Sequence, residues 1–361
     1  MPDPSIGALV PLGWSERVLA LYNAALDDAV GGDVPVGDDG APAPTSAEPG
    51  RVVRVERGGA VVAVADGGER LLQSAASPSP PAVGDWVLVA GGEIRAVLDR
   101  WSTLSRADPS GVGEQVLAAD VDVVVVTAPA DRLSPSRVER ELAIGWESGA
   151  RPLVALTKAD LAPPGLAEEL RDRLVGVDVL ATSAETGLGV EALRAGLRPD
   201  RTAVLLGPSG AGKSTLANAL IGTDVLATGA VREGDHRGRH TTTSRQLLAV
   251  PGGGVLIDTP GLRSLGLTGD EGIGQAFPEI DELAAGCRFR DCAHGSEPGC
   301  AVNAAVAGGT LAPARLASYQ KLQKEMAAEV RRTDPLVRRA SVGEWKAVMK
   351  SVRDNDKRKP R

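Results

Sequence analysis

The chain has 361 residues, with 47 acidic against 40 basic side chains and a formal net charge of -7, a length that accommodates two or three domains at roughly 100 to 200 residues each. With 43% apolar and 24% charged residues the composition is that of an ordinary globular protein, which excludes wholesale disorder. Five Trp, two Tyr and two Phe are too few for a long array of stacked bases, so nucleic-acid contact would run mainly through phosphates.

No apolar run approaches the ~18 residues of a membrane span, and the first basic residue is Arg17, so the expectation is a cytoplasmic protein with no membrane partner. Charge is unevenly placed. Residues 1–48 carry eight acidic side chains and one Arg, whereas 331–361 carry eleven basic and four acidic. The tail reads either as a solvated helix with a frayed end or as an RNA contact.

In chain order, a short amphipathic helix near Trp14 to Val30 leads into a Gly-, Pro- and Asp-rich linker over 31–49; neither has a readable function. From Arg51 the sequence changes to short alternating runs, RVVRVE, AVVAVA, ERLLQ, DWVLVA and EIRAVLD, separated by turn residues. Five short strands in about fifty residues predict a small barrel over 49–108, of the oligonucleotide-binding (OB) type. Trp86 and Trp101 fit either its core or a base-stacking surface.

Beyond Arg106 the rhythm shifts again. VDVVVVTA (121–128) is an uninterrupted β-branched run, as expected of a strand buried on both faces of a parallel sheet. PLVAL, VDVLATS, AVLLG and VLID follow, alternating with helical segments, and predict a doubly wound α/β domain over 109–269. Residues 270–332 read as a mainly helical domain around a cysteine cluster, closed by a helix over 318–332, and 333–361 as a basic tail. The expected fold class is α/β: an N-terminal extension (1–48), a five-stranded OB-type barrel, an α/β phosphate-loop domain and a mainly helical C-terminal domain that binds metal.

Gly207-Pro208-Ser209-Gly210-Ala211-Gly212-Lys213-Ser214-Thr215 fits G-x-x-x-x-G-K-[ST] between a strand and an apolar helix, the context that motif requires. The glycines let backbone N–H groups turn inward around phosphates. Lys213 neutralises the β and γ oxygens, and Ser214 supplies a Mg²⁺ ligand. Two further motifs sit after strands, where ligands bind in such sheets: Thr157-Lys158-Ala159-Asp160 and Ser183-Ala184-Glu185-Thr186-Gly187. A carboxylate such as Asp160 accepts from N1–H and the exocyclic amine of guanine, donors that adenine lacks there. The set is completed by Asp258-Thr259-Pro260-Gly261 and the threonine run 241–243. Asp258 would hold Mg²⁺ through water, the Gly261 amide would sense the γ-phosphate, and Thr242 would complete the metal shell. The base-reading motifs precede the phosphate loop, so the order is permuted. That permutation places Gly261 nine residues before the C-terminal domain, where a γ-phosphate contact can pull on it.

Cys287-x4-Cys292-x-His294-x5-Cys300 gathers all three cysteines and one of the three histidines in fourteen residues. An odd number of cysteines cannot close into disulfides without a remainder. Three thiolates and an imidazole make a closed tetrahedral set suited to one structural Zn²⁺, with Cys292 and His294 expected on the same side of an extended segment.

Taken together, the GDWV segment, TKAD, SAETG, GPSGAGKST, GRHTTT, DTPG and the cysteine cluster, in that order over residues 50–330, resemble the bacterial ribosome small subunit-dependent GTPase A family. The resemblance implies a circularly permuted GTPase that acts late in assembly of the small (30S) ribosomal subunit, binds its 16S rRNA and is stimulated by that particle, with zinc on the four positions above. Two features depart from the family: Thr157 stands where most relatives have Asn, and the acidic extension before residue 50 lies outside the common core.

Many GTPases orient the attacking water with a Gln after D-x-x-G; Leu262 occupies that place and cannot hydrogen-bond. His240 is the candidate to replace it, and the resemblance points to the same residue, against the reading of a loop histidine that touches RNA or nothing. The expectation is a monomeric GTP phosphohydrolase, its catalytic residues His240, Lys213 and Thr242, partnered by GTP/GDP and the small subunit. Two alternatives stay open: a nucleotide-switched RNA-binding scaffold in which hydrolysis is incidental, and a P-loop ATPase or kinase.

Overall fold

The computed structural model describes residues 4–31, 47–74, 80–108, 114–224, 226, 245–258, 265–267 and 269–333. A 3-10 segment (Pro4–Leu12) and α1 (Glu16–Gly31) come first, followed by β1 (Glu48–Glu56), β2 (Gly59–Val64), β3 (Glu69–Leu72), β4 (Trp86–Ala90) and β5 (Glu93–Val97). These are the five expected strands. β1 pairs antiparallel with β2 and β4, β2 with β3, and β4 with β5. A parallel bridge between Ser74 and Ile94, with Ile94 N donating to Gln73 O at 2.9 Å, joins the end of β3 to β5. Val52, Val62, Val64, Val87, Val89 and Ile94 fill the space between the strands, because alternate residues of each strand point to the same side.

The N-terminal extension packs on these strands. Leu9 and Val18 are fully buried, and Trp14 meets Trp86 edge to face with centroids 5.4 Å apart. Trp86 is itself core, 1% exposed, and Arg17 lies over Trp101 at 4.9 Å. The buried guanidinium of Arg51 in β1 donates to Leu12 O, to Gly84 O at 3.2 Å and to Thr202 Oγ1 at 2.6 Å, while stacking on Trp86 at 4.7 Å. One side chain thereby ties the N-terminal extension, the β1–β5 unit and the start of β11. Burial lowers its pKa to about 10, opposed by the charges of Asp120, Asp122 and Asp85.

A hairpin of β6 (Thr103–Ala107) and β7 (Glu114–Ala119) spans the expected boundary at 108/109. Next come β8 (Val123–Pro129), α2 (Pro135–Glu147), β9 (Arg151–Thr157), α3 (Leu166–Arg173), β10 (Val179–Ala181), α4 (Val190–Gly196), β11 (Thr202–Leu206), α5 (Lys213–Ile221), β12 (Gln246–Ala249) and β13 (Val255–Asp258). The sheet runs β10-β9-β8-β11-β13-β12 and continues into β1 through Arg54 opposite Gln246. All neighbours from β10 to β13 are parallel, and β12 is antiparallel. Val124, Val126 and Val204 enter one core and Val123, Val125 and Leu205 the other, so these strands are apolar without alternation, as a doubly covered sheet requires.

The remainder is helical: α6 (Glu271–Ala276), α7 (Pro278–Ala284), α8 (Ala301–Ala307) and α9 (Pro313–Thr333). The last helix starts five residues earlier than the expected 318, with Pro313 at a position where a missing N–H costs nothing. Arg315 of α9, nearly fully buried, crosses to α2 by donating to Glu139 Oε1 at 3.0 Å. It also bonds Ala276 O at 2.6 Å and Glu279 Oε1 at 2.5 Å, and Arg173 of α3 shares Glu139 Oε1 at 2.7 Å. Among the described residues, no helix is long and apolar enough to cross a membrane.

Candidate functional site

The loop between β11 and α5 follows from its glycines. Gly207, Gly210 and Gly212 have φ of 149°, 71° and 86°, the region open to glycine, and a Cβ on Gly207 would collide with Thr127 Oγ1. Lys213 is the first residue of α5, and its ammonium donates to Gly207 O and Pro208 O, both at 2.8 Å, which places it across the loop. Ser214 and Thr215 occupy the same helical turn, whose N-terminus carries the positive end of the helix dipole. Asp258 ends β13, half-buried beside Lys213. Burial pushes its carboxyl up, and the Lys213 charge partly offsets that.

Thr157, Lys158, Asp160, Ser183 and Ala184 line a cavity of about 270 Å³ that opens onto Gly212 and Thr215. Two motifs placed 26 residues apart in the sequence thus share one recess beside the phosphate loop, and three more bonds fix it. Thr157 Oγ1 donates to Ala211 O at 2.6 Å, Ala159 N to Thr182 O at 3.0 Å, and Thr186 N to Ser183 Oγ at 3.2 Å. The hydroxyl of Thr157 is therefore engaged by the phosphate loop. His240, Thr242 and Gly261 lie outside the described residues.

Three residues absent from the sequence reading belong to this edge. Thr127 Oγ1 donates to Leu206 O at 2.7 Å, Lys158 Nζ to Asp131 Oδ2 at 2.7 Å, and Arg132 Nη2 to Ser209 O at 2.9 Å. APADR matches no motif. It joins the site only because β8 lies between β9 and β11.

The second constellation sits between α7 and α8. The donor atoms of Cys287, Cys292, His294 and Cys300 all lie within 4.8 Å of one another. His294 Nδ1 is 3.7 Å from Cys287 Sγ and 3.5 Å from Cys300 Sγ, and those sulfurs are 3.9 Å apart. These lengths match the edges of a tetrahedron with metal–sulfur bonds of ~2.3 Å and metal–nitrogen bonds of ~2.0 Å, so the set fits a four-coordinate ion. Cys292 and His294 converge through a bend in which His294 takes φ 55°, not along the extended segment expected of them. Supporting bonds hold the bend: Gln320 Nε2 of α9 donates to His294 O at 2.7 Å, and Glu297 accepts from Gly295 N at 2.7 Å.

The RsgA GTPase family model matches residues 97–268. The Streptomyces coelicolor protein named small ribosomal subunit biogenesis GTPase RsgA is 50% identical over 323 residues, covering 84% of this chain and 88% of that one.

The chain belongs to the RsgA GTPase family.

The protein of the same name from Streptomyces avermitilis is 49% identical over 313 residues, 82% of this chain and 84% of that one. Among solved structures, YjeQ from Thermotoga maritima is similar with a TM-score of 0.59 at 26% identity, covering 78% of this chain and 99% of its own. YloQ, described as a circularly permuted GTPase, shares the fold with a TM-score of 0.58 at 24% identity, over 79% of this chain and 97% of its own. The strand order around the phosphate loop is thus that of a circularly permuted GTPase of mixed α/β architecture. The segments after β9 and β10 come before the phosphate loop in the chain and beside it in space.

Proposed function

We propose that this GTPase acts in late maturation of the small (30S) ribosomal subunit, binds 16S rRNA on that particle, hydrolyses GTP when the particle completes its site, and then departs. The observation that supports the reading most directly is the recess lined by Thr157, Lys158, Asp160, Ser183 and Ala184, open to Gly212 and Thr215 of the phosphate loop and helix. Asp160 would accept from the two donors of guanine. The amides of Gly207 to Thr215 and the Lys213 ammonium would take the phosphates. Ser214, with Thr242 and the water-bridging Asp258, would hold Mg²⁺, which when bound spreads the negative charge that develops on the phosphoryl oxygens. The Gly261 amide would report the γ-phosphate, and His240 would orient water in place of the Gln that Leu262 does not supply.

The β1–β5 unit is an OB-type barrel on this reading. Its cyclic pairing β1-β2-β3-β5-β4, closed by the Ser74–Ile94 bridge, supports that; the units we propose are the barrel over 49–108, the nucleotide domain over 109–269 and the helical domain over 270–332, with the β6–β7 hairpin bridging the first two. Zinc would fill the Cys3His set and brace the loop between α7 and α8 against the helices, whose Phe277, Ile280 and Val302 are already buried. The protein works as a cytoplasmic monomer, with barrel, metal domain and the tail from 333 facing the particle.

GTP turnover measured with and without purified small subunits tests the reading. A stimulation of tenfold or more, about 1.4 kcal/mol off the barrier, is expected, and none would overturn it. With subunits present, His240→Ala is expected to lose that stimulation.

A further inference from the structure

Three features of the described residues have no part in the reaction outlined above: the buried Arg315–Glu139 network, the exposed Arg288-Phe289-Arg290 segment, and the turn after β8. The third carries an inference furthest, because it touches the nucleotide recess and the phosphate loop at once.

β8 is the strand between β9 and β11, so the turn at its C-terminal end lies between the base-reading segment and the phosphate loop. That turn is a single 3-10 segment, Ala130–Arg132. Its two charged residues point to opposite sides. Asp131 accepts from Lys158 Nζ at 2.7 Å, and this bond holds its carboxyl below the usual range. Arg132 Nη2 donates to Ser209 O at 2.9 Å and fills the space that a side chain on Gly210 would need. The tip of the loop, Ser209-Gly210, is closed into a turn by Ala211 N donating to Pro208 O at 3.2 Å, and Arg132 ties that turn to the end of β8. Gly210 and Gly212 leave its backbone free to turn, whereas both ends are anchored, by Thr127 through Leu206 O and by Thr157 through Ala211 O.

We propose that Arg132 is a positioning residue that latches the tip of the phosphate loop to the turn after β8 and thereby sets the rate at which the nucleoside diphosphate leaves. The proposal rests on the guanine-nucleotide reading of the site. A diphosphate enclosed by the loop leaves when the tip swings away from its amides. The guanidinium holds the tip by a carbonyl on its outer side and so opposes that swing without touching the phosphates. Asp131 joins the same turn to Lys158, so opening at the loop is transmitted to the base recess.

The test is GDP dissociation from the full chain, followed with a fluorescent GDP analogue chased by excess GDP, for wild type, Arg132→Ala and Arg151→Ala. Arg151 forms an exposed pair with Asp178 elsewhere on the sheet and serves as the control. Arg132→Ala is expected to release the analogue at least threefold faster, while its unfolding midpoint without nucleotide stays within 1 °C or so of wild type, since an exposed contact contributes little to folding. A change of less than threefold overturns the latch. So does faster release that comes with a comparable loss of stability, or that Arg151→Ala reproduces. Wild-type protein that fails to bind the analogue overturns the nucleotide reading instead, so the two failures are distinguishable.

Discussion

Asp160 and Asp120 show how two carboxylates of one chain come to different uses. Asp160 is exposed at the rim of the recess, where its charge costs little and both oxygens can meet a donor pair. On the proposed guanine reading, Asp160→Asn turns one of those acceptors into an NH2 facing a guanine donor. GDP affinity is expected to fall about 100-fold, with xanthosine diphosphate gaining, because a site built for paired hydrogen bonds rejects a mismatched partner strongly; titration with both nucleotides checks it. Asp120 sits in the core with φ 55°, accepting from Trp86 N and Trp101 N at 3.3 Å each. Burial, reinforced by Asp85, raises its pKa from 3.8 to about 7. The folded state then keeps a proton that the unfolded chain releases, so stability falls as pH rises from about 4 to 7 and levels off above, by up to about 1.4 kcal/mol per pH unit. Glu141, raised to about 7 by burial, adds a slope of the same sign. Urea unfolding between pH 5 and 8 should show this decline, and Asp120→Asn should remove about half of it. An unchanged slope in the variant would refute the assignment.

At the scale of elements, the chain codes some structures locally and leaves others to their neighbours. The phosphate loop needs glycines at fixed offsets followed by Lys213 at a helix start, and all of that lies within nine residues. The thiolate cluster is nearly as local, its four ligands falling within fourteen residues, although the left-handed turn at His294 has no signal in a Cys-Ala-His string. Cys300 caps the N-terminus of α8, its sulfur accepting from Asn303 N at 3.4 Å, so one residue serves both the cluster and a helix cap. On the proposed zinc assignment, chelation is expected to speed hydrogen exchange across α8 and the residues 287–300 while α5 keeps its protection, because binding the ion would supply part of the local folding free energy. Equal exchange with and without chelator would separate the cluster from the fold. By contrast the β6–β7 hairpin escaped the reading: its strands are short, and 109–113 between them carry no repeating pattern.

Across the whole molecule, the parts are joined by long-range contacts. Arg54 opposite Gln246 makes one sheet of β1–β5 and the strands around the phosphate loop, and the Arg315–Glu139 pair fastens the C-terminal helices to α2. The N-terminal extension is a third fastening. Its Leu12 carbonyl receives Arg51, while Leu9 and Val18 bury completely. Removing residues 1–31 would uncover Trp86 and leave the buried Arg51 one acceptor short. At ~1.5 to 3 kcal/mol for each buried aliphatic side chain, a loss of at least about 3 kcal/mol in urea unfolding is expected. A truncated chain as stable as the full one would show that the extension merely rests on the barrel.

The amino-acid sequence alone marked the phosphate-loop motif, the two motifs proposed to read the base, the four residues whose donors fit a tetrahedral ion, and the alternation of strands and helices around them. Each of those features is written in a few adjacent residues whose backbone geometry and side-chain types suffice to define it. Tertiary structure decided what those residues work with. Arg51 reaches Thr202 across 151 residues of sequence and Arg132 reaches Ser209 across 77; neither partner is implied by its own neighbourhood. Such pairs exist only once the order β10-β9-β8-β11-β13-β12 has set which strand ends adjoin, and that order is chosen by packing over the whole sheet, not by any local propensity.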